Sequence, residues 1–579
     1  MANNDILKPD WNGEVVLRIT SGGSDIDCMA YLESIEVSEE FNRIATATIS
    51  LFEDDADDFS VTDSDTFEPG KEVEIFAGYG EAEEKLFSGV VVRQKVKISK
   101  GFPKLVITAK HSAFRMTLSR QTARFEDQTD SEVVSDIIGK YGISAEVEDT
   151  SVKHESAVQF NATDWDYINM RTEANGLLLL TTPDGISVVK PDPSAEPVIQ
   201  IDQGFSMIDM EAELDGMSVA DTFKASAFNF TTQEMEEVEA QTGGCDSAQG
   251  NIDSADLSLK VKCGERFIAV DGMVANPDAI TELAAAQMMR SSLARLSGTV
   301  TFPGAIAIHP GNVIKLENVA GRVGGNAYVT SVLHQVKSGQ WKTCVRFGLD
   351  GTRYFDRFDD INAAPASGVF PAVNGLHVAK VEQLQDDPLG ENRILVKLLH
   401  GEETTVWARV ALLDAGNSRG SWFMPEIGDE VIVGFVNDNP NLAVVLGMLH
   451  SSSSPSPVET SDDNNIKGFF TREKMKLEFD DSKKSITLET PGGNKVVISD
   501  DAKGIAMEDQ NGNKITMDSN GITIESAKAL ELKASQDVKI SGANVTAEAN
   551  ASFKATGNSG AEVSTSAIAV LKGSIVQIN

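Results

Sequence analysis
The C-terminal stretch constrains the chain most, because it repeats on the scale of a single β-strand. Ile486-Thr487-Leu488, Val496-Val497-Ile498, Ile505-Ala506-Met507, Ile515-Thr516-Met517 and Ile522-Thr523-Ile524 come first. Leu530-Glu531-Leu532, Val538-Lys539-Ile540, Val545-Thr546-Ala547, Phe553-Lys554-Ala555, Val563, Ile568-Ala569-Val570 and Ile575-Val576-Gln577-Ile578 follow. The early repeats start mostly nine or ten residues apart, with Gly and Asn between them; from Ile522 to Phe553 the spacing is seven or eight. A near-fixed period means one structural unit per repeat. Each unit supplies two apolar side chains and a turn, which cannot enclose a core. A single-chain parallel β-helix needs about 20 or more residues per coil to build its walls. A unit of this size builds one wall, so three chains wound together are expected. The pattern predicts a homotrimer with an unstable monomer. Its axial core is Ile515, Met517, Ile522, Ile524, Leu530, Leu532, Val538 and Ile540. About twelve strands stacked at about 4.8 Å give a prism roughly 60 Å long, and closure protects the backbone edges. The competing arrangement is a flat antiparallel meander with solvent on one face, which leaves much apolar surface bare without another layer.

Charge narrows the function classes. The chain has 579 residues, enough for three to five domains at about 100–200 residues each. Acidic residues number 88 against 50 basic ones, a net charge of −38. Nucleic-acid affinity comes from cations displacing phosphate counterions, so no nucleic-acid partner is expected. An anionic membrane surface is disfavoured for the same reason. No apolar run approaches the roughly 18–20 residues that span a bilayer. Met1-Ala2-Asn3-Asn4-Asp5 has neither the basic nor the apolar region of a signal peptide, so the chain reads as cytoplasmic at synthesis. Cys28, Cys245, Cys263 and Cys344 are scattered and do not form a disulfide framework.

The fold class read from these patterns is mainly β with some α. Residues 1–362 read as barrel-like domains with helical insertions, 363–374 as a linker, 375–450 as a small closed barrel of the OB type, 451–474 as a Ser/Pro-rich linker and 475–579 as the repetitive needle. In the first region Ala45, Ala47, Ile49 and Leu51 alternate with Ile44, Thr46, Thr48 and Ser50, the mark of a half-buried strand. Three helices are predicted. One spans 131–139, with Asp130 or Ser131 as cap; one runs from 164 to a stop at Asn175-Gly176; one spans about 278–296. Five short strands fill 375–450: 378–381, 393–398, 405–410, 430–435 and 443–447.

The segments Arg393-Ile394-Leu395-Val396-Lys397-Leu398, Trp407-Ala408-Arg409-Val410 and Phe423-Met424-Pro425-Glu426-Ile427-Gly428-Asp429-Glu430-Val431-Ile432-Val433-Gly434-Phe435 resemble the OB-fold of VgrG-type and phage-tail-like spike proteins of contractile injection systems. Thr490-Pro491-Gly492-Gly493-Asn494-Lys495, Gly512-Asn513-Lys514-Ile515-Thr516-Met517 and the ending Leu571 to Asn579 are similar to the triple-stranded intertwined β-helix of that family. Asp164-Trp165-Asp166-Tyr167, Glu173-Ala174-Asn175-Gly176 and Pro310-Gly311-Asn312-Val313-Ile314 resemble its baseplate-hub relatives. The resemblance implies a trimeric hub that meets a hexameric tube protein and baseplate proteins. It also implies a needle that punctures membranes mechanically through transient contact. A PAAR-like tip protein would sit on a platform at Ile575, Val576, Gln577 and Ile578. Type VI secretion, an extracellular injection particle and a phage tail all fit, with delivery outside the cell on firing. Residues 451–475 are too few for the lysozyme domain that some phage relatives carry there, and an effector activity within these residues is not expected.

No catalytic, cofactor or metal site is expected. Gly416-Asn417-Ser418-Arg419-Gly420 satisfies G-x-S-x-G, but a strand rather than a helix is predicted after it. Asp54-Asp55-Ala56-Asp57-Asp58 and Asp63-Ser64-Asp65 lack the Gly and closing Glu of a calcium loop. Asp509-Gln510-Asn511-Gly512 and Asp518-Ser519-Asn520-Gly521 read as turns that need φ > 0. His334 reads as packing, Cys245 and Cys263 lack the paired spacing of a zinc site, and Gly78-Tyr79-Gly80 is too short for a dinucleotide fingerprint. The second function class is a carbohydrate-active enzyme or adhesin on a β-helix. The absence of Trp, Tyr and Phe after Phe553 counts against it. Replacing Leu532 by Ala should remove three axial side chains in one layer, at about 2–5 kcal/mol each. A trimer that melts like the unaltered one would remove Leu532 from the axis.

Overall fold
The computed structural model describes residues 14–53, 59–80, 82–229, 232–241, 246–270, 277–399 and 404–578. Three readings fall outside them: the segment Met1 to Asp5, the acidic run Asp54–Asp58 and Cys245. The chain divides into two compact units, residues 1–374 with 435–442, and residues 375–434 with 443–579. Among the described residues no helix is long and apolar enough to cross a membrane.

In the first unit, the barrel-like region takes the form of one sheet of thirteen strands carrying two cores. Thr46–Phe52 shows how the alternation builds it. Ala47 and Ile49 pair with Ala109 and Ile107 of Phe102–Lys110 and with Val37 and Ile35 of Leu32–Glu40. These side chains are buried with Ile75, Leu86 and Leu105 in the first core. The second core gathers Val300, Phe302, Ile314, Val332, Val345 and Phe347. Leu32–Glu40 pairs antiparallel with Gly325–Lys337 and joins the two halves. His334 lies in this sheet, fully buried, with Nδ1 3.0 Å from Thr343 Oγ1 and its ring against Trp341. Burial drops its pKa to about 3, so it packs as a neutral imidazole.

The helical insertion follows the predicted periodicity. Asp130–Gly139 buries Val133, Val134, Ile137 and Ile138 against Trp165 and Ile168 of Asp164–Ala174. Its cap is Thr129, one residue ahead of the expected Asp130 or Ser131. Thr129 Oγ1 accepts from the Glu132 N–H, and the Glu132 carboxylate accepts from the Thr129 N–H. Asp130 is not free to cap, because Arg171, His154 and Asn175 take its oxygens at 2.6, 3.1 and 2.7 Å. The second helix ends as predicted, with Gly176 at φ +69°, where a Cβ would lie 3.4 Å from Ala286. The third spans Pro277–Ala294; the short helices Ser254–Val261 and Tyr354–Arg357 were not anticipated.

The second unit opens with a closed barrel of five strands, in the order His377–Gln383, Ile394–Leu398, Thr405–Val410, Ala443–Met448, Glu430–Phe435. Ala379, Val381, Ile394, Val396, Ala408, Val431, Val433 and Val445 fill it. A seven-stranded antiparallel meander follows, from Ile466–Phe470 to Gly521–Glu525. Its first strand lies inside the stretch read as a linker, because Phe469 pairs with Leu477 across the turn at 471–475. Residues 526–578 are exposed apart from Ser526 and make no strand pairs within the chain.

Asp130 supplies a pH test. Burial alone would raise its pKa, but the hydrogen bonds from His154, Arg171 and Asn175 hold the carboxyl well below its ordinary range. A depressed folded pKa adds stability above the unfolded value of about 3.9 and loses it as pH falls towards the folded one. Asp130→Asn leaves the Arg171 guanidinium without its buried carboxylate. It should cost about 3–5 kcal/mol at pH 7 in denaturant unfolding of the N-terminal unit, with the difference shrinking at low pH.

Candidate functional site
The meander is mainly apolar on one face and polar on the other, because period-two alternation is kept in register across the strands that follow Ile466–Phe470. One apolar row runs Phe469, Leu477, Leu488, Val496, Met507, Ile515, Ile524, each opposite the next. The neighbouring row on that face runs Lys467, Phe479, Ile486, Ile498, Ile505, Met517, Ile522. The other face carries a row of alternating sign: Lys476, Glu489, Lys495, Glu508, Lys514, Glu525. Lys476 reaches Glu489 at 3.4 Å, Lys495 reaches Glu489 at 3.8 Å and Lys514 reaches Glu508 at 3.5 Å. Desolvation pulls the Lys476 ammonium down, but Glu478 and Glu489 outweigh it and raise its pKa above the ordinary value. Opposite charges facing each other fix the strand register, as like charges there would repel.

Exposure on this sheet is inverted relative to an ordinary solvated meander. Thr487 and Ser499, on the polar face, are buried, whereas Leu488 and Ile498 on the apolar face are 49% and 47% exposed. Leu488, Val496, Met507, Ile515, Ile524 and Leu530 line an open groove of about 740 Å³. Apolar surface of this extent is worth about 25 cal/mol per Å² once covered. A contiguous patch of it marks an association surface.

The turns hold the meander in place. Gly493 and Gly512 take φ of +92° and +87°, which L side chains adopt only with strain. At the second turn the Asp509 carboxylate accepts from the N–H groups of Asn511 and Asn513 at 2.8 and 2.9 Å and from Asn513 Nδ2 at 2.7 Å. The Asn513 bonds come first among the causes that lower its pKa to about 2. These oxygens are used in a turn, as the sequence indicates.

Of the expected axial residues, the fold brings Ile515, Met517, Ile522 and Ile524 together on the apolar face, and Leu530 joins them at the end of the groove. Leu532, Val538 and Ile540 lie beyond the meander, exposed, and the single chain does not gather them. The platform residues Ile575, Val576, Gln577 and Ile578 are exposed too. Phe469 on one strand and Leu477 and Phe479 on the next extend the ladder by two strands before the repeat recognised from the sequence. The alternation Met475-Lys476-Leu477-Glu478-Phe479 was the available signal. Gly416 to Gly420 forms a tight hairpin, with Ala415 paired to Gly420 and Ser418 at φ +57°. No helix follows it, so the geometry of a nucleophile elbow is not built. Cys263 donates its thiol to the Gly216 carbonyl.

Three family models match the chain. The Alg8 N-terminal domain covers residues 12–338, more than half of it. The type VI secretion system/phage-baseplate injector OB domain covers 377–450, and the phage baseplate V C-terminal trimerisation domain covers 485–552. The type VI secretion system spike protein VgrG3 of Vibrio cholerae serotype O1 is 34% identical over 61 residues, 10% of this chain and 6% of that protein. The chain thus spans a small fraction of the curated relative it matches. Among solved structures, the 43 kDa tail protein of prophage MuSo2 from Shewanella oneidensis is 8% identical at a TM-score of 0.46, over 58% of this chain and 98% of that one. The E. coli c3393 protein, a component of the type VI secretion system, is 12% identical at a TM-score of 0.36, over 72% of this chain and 97% of that one.

The two faces of the meander give opposite expectations for one charge. Ile515→Asp places a carboxylate on the apolar face and should reduce the solution mass from three chains to one. Thr516→Asp, its neighbour on the other face, should leave the mass unchanged. Light scattering at equal concentration separates the two variants.

Proposed function
The chain belongs to the family of the Alg8 N-terminal domain and is a VgrG-type, phage-tail-like spike protein; from that premise we propose that its work is mechanical. Three copies associate through the apolar face of the meander and continue as an intertwined β-helix through residues 526–578. The N-terminal units meet the hexameric tube and the baseplate. The far end, at Ile575, Val576, Gln577 and Ile578, offers a platform for a PAAR-like tip protein. When the machine fires, the prism leaves the cell and concentrates the driving force on a small area of the target membrane.

One observation carries this reading: the chain's own fold leaves its most regular apolar surface uncovered. Leu488, Ile498 and Ile524 are each about half exposed in a sheet whose Thr487 and Ser499 are buried. A second layer must cover such a face. Three like faces meeting on an axis do so without any foreign component, and alternating charge remains outside for water. Stiffness then follows from close packing along the axis. The chain acts as a load-bearing strut and not as an enzyme. A cell-wall polymer degraded by the isolated protein would favour the carbohydrate-active alternative.

The deciding experiment separates assembly from tip binding. Full-length protein should have three times the 62.1 kDa chain mass. Deleting residues 571–579 should preserve that mass and abolish retention of a PAAR-repeat protein. A monomer refutes the needle, whereas a trimer that retains the tip protein after the deletion refutes only the platform.

A further inference from the structure
Helix Pro277–Ala294 is buried residue by residue over its last two turns, from Ala286 to Ala294. Polar side chains there have to find their partners inside the protein. Arg290 does so, donating Nη1 to the Asp350 and Thr352 carbonyls at 3.2 and 3.3 Å. Ser291 does so too, donating its hydroxyl to the Ser218 carbonyl at 2.8 Å. Gln287 is only 5% exposed, yet its side-chain amide has no hydrogen-bond partner among the described residues. It lines an open cleft of about 380 Å³ instead. An amide withdrawn from water and left unpaired destabilises the fold. At the wall of a cleft, such an amide is a ready partner for a ligand.

Charge in the cleft points to the kind of ligand. Its walls come from this helix, from residues 351–356 and from the strand Glu265–Ala269, which is the edge of a three-stranded sheet. Arg266 on that strand donates Nη2 to the Met217 carbonyl and holds its guanidinium 6.0 Å from the centre of the Phe223 ring. It makes no ion pair among the described residues. The neighbouring charges are matched: Lys224 reaches Glu239 and Glu265 at 3.1 and 3.0 Å. Asp356 is the one acid among the described lining residues, and Arg353 grips it with Nε at 2.7 Å and Nη2 at 3.2 Å. That pair cancels, so the lining carries one cation without a counter-charge in a chain of net charge −38. Phe267 and Ile268 add apolar wall beside it.

We propose that this cleft binds a small oxyanion, a carboxylate or phosphate group on a molecule of few atoms, held by the Arg266 guanidinium and the Gln287 amide N–H. A guanidinium presents parallel N–H groups in a planar fork that fits two oxygens of one such group. The Gln287 amide supplies a further donor from the opposite element, and the bond it makes removes its own deficit. A metal cation is repelled by Arg266, and a purely apolar ligand leaves the amide unpaired. The volume lies within the range of about 300–1,000 Å³ that small-molecule sites occupy. A ligand in this position ties the edge strand to the helix and so stabilises the N-terminal unit by mass action. The inference stands apart from the mechanical reading, since it uses neither the apolar face nor the number of chains.

Calorimetric titration of the full-length protein tests the site, with succinate and inorganic phosphate as separate probes at constant ionic strength in chloride. At least one of them should bind saturably, at one site per chain. Arg266→Gln should weaken that binding about tenfold or more. Lys97→Gln removes an exposed cation of the thirteen-stranded sheet and should leave binding unchanged. No saturable binding of either anion, or an equal loss in Lys97→Gln, overturns the proposal. Gln287→Leu gives an arm that needs no ligand. It keeps much of the side chain's bulk without the unpaired amide, so it should melt at a higher temperature than the unaltered protein in chloride alone. The same variant should bind the anion more weakly. A Gln287→Leu protein that melts no higher, or that binds the anion as before, refutes the role given to the amide.

Discussion
The structure depends on covering an apolar sheet face that its own chain does not cover. In a globular domain a half-buried strand finds its second layer in the same polypeptide, as Thr46–Phe52 does in the N-terminal sheet. In the meander the strands after Ile466–Phe470 repeat the same two-sided pattern, so each has the same deficit. Adding strands lengthens the bare face without covering it. Only another copy of that face, or a foreign layer of matching length, resolves the deficit. A repeat shared by identical chains guarantees the match in length and register.

Electrostatics then decides how copies meet. A net charge of −38 per chain makes association in general unfavourable. The places where sign alternates or reverses therefore carry information. The Lys476 to Glu525 row neutralises itself within one sheet. A self-neutralising row suits a surface that must face water.

Much of this was legible in the sequence. The alternation at Ala45 to Leu51 gave the correct buried face, and the Val133, Val134, Ile137, Ile138 spacing gave the correct helix. The cap at Thr129 was missed because Asp130 is the better-looking cap locally. Its carboxylate is claimed by Arg171, 41 residues away, and no local rule sees such a partner. The short helices Ser254–Val261 and Tyr354–Arg357 offer too few turns for periodicity to register. The single sheet running through both N-terminal cores was also invisible, since the pairing of Leu32–Glu40 with Gly325–Lys337 joins residues nearly three hundred positions apart. At the candidate site, one-face clustering of Ile515 to Ile524 follows from period two. The start of the ladder at Phe469 was obscured by adjacent Phe470, which breaks the alternation.

The change of spacing at Ile522 separates two ways of depending on other chains. Up to Gly521 the chain doubles back on itself, and Gly493, Gly512 and Gly521 supply the left-handed backbone that such reversals need. Each strand therefore has main-chain partners within its own chain and lacks only a covering layer. Beyond Gly521 no described residue has a left-handed φ, and beyond Glu525 no described residue pairs as a strand with another part of the chain. The apolar pairs continue at Leu530-Glu531-Leu532 and Val538-Lys539-Ile540, but the turns that would return the chain are gone. Such a segment lacks both a covering layer and hydrogen-bond partners along its edges, and buried backbone groups must be paired. Winding three chains together meets both needs at once. The first part of the needle thus depends on its partners for burial alone, and the last part depends on them for every ladder bond. Assembly that begins at the pre-formed meander faces and proceeds towards residue 578 orders each step after the one that makes it favourable.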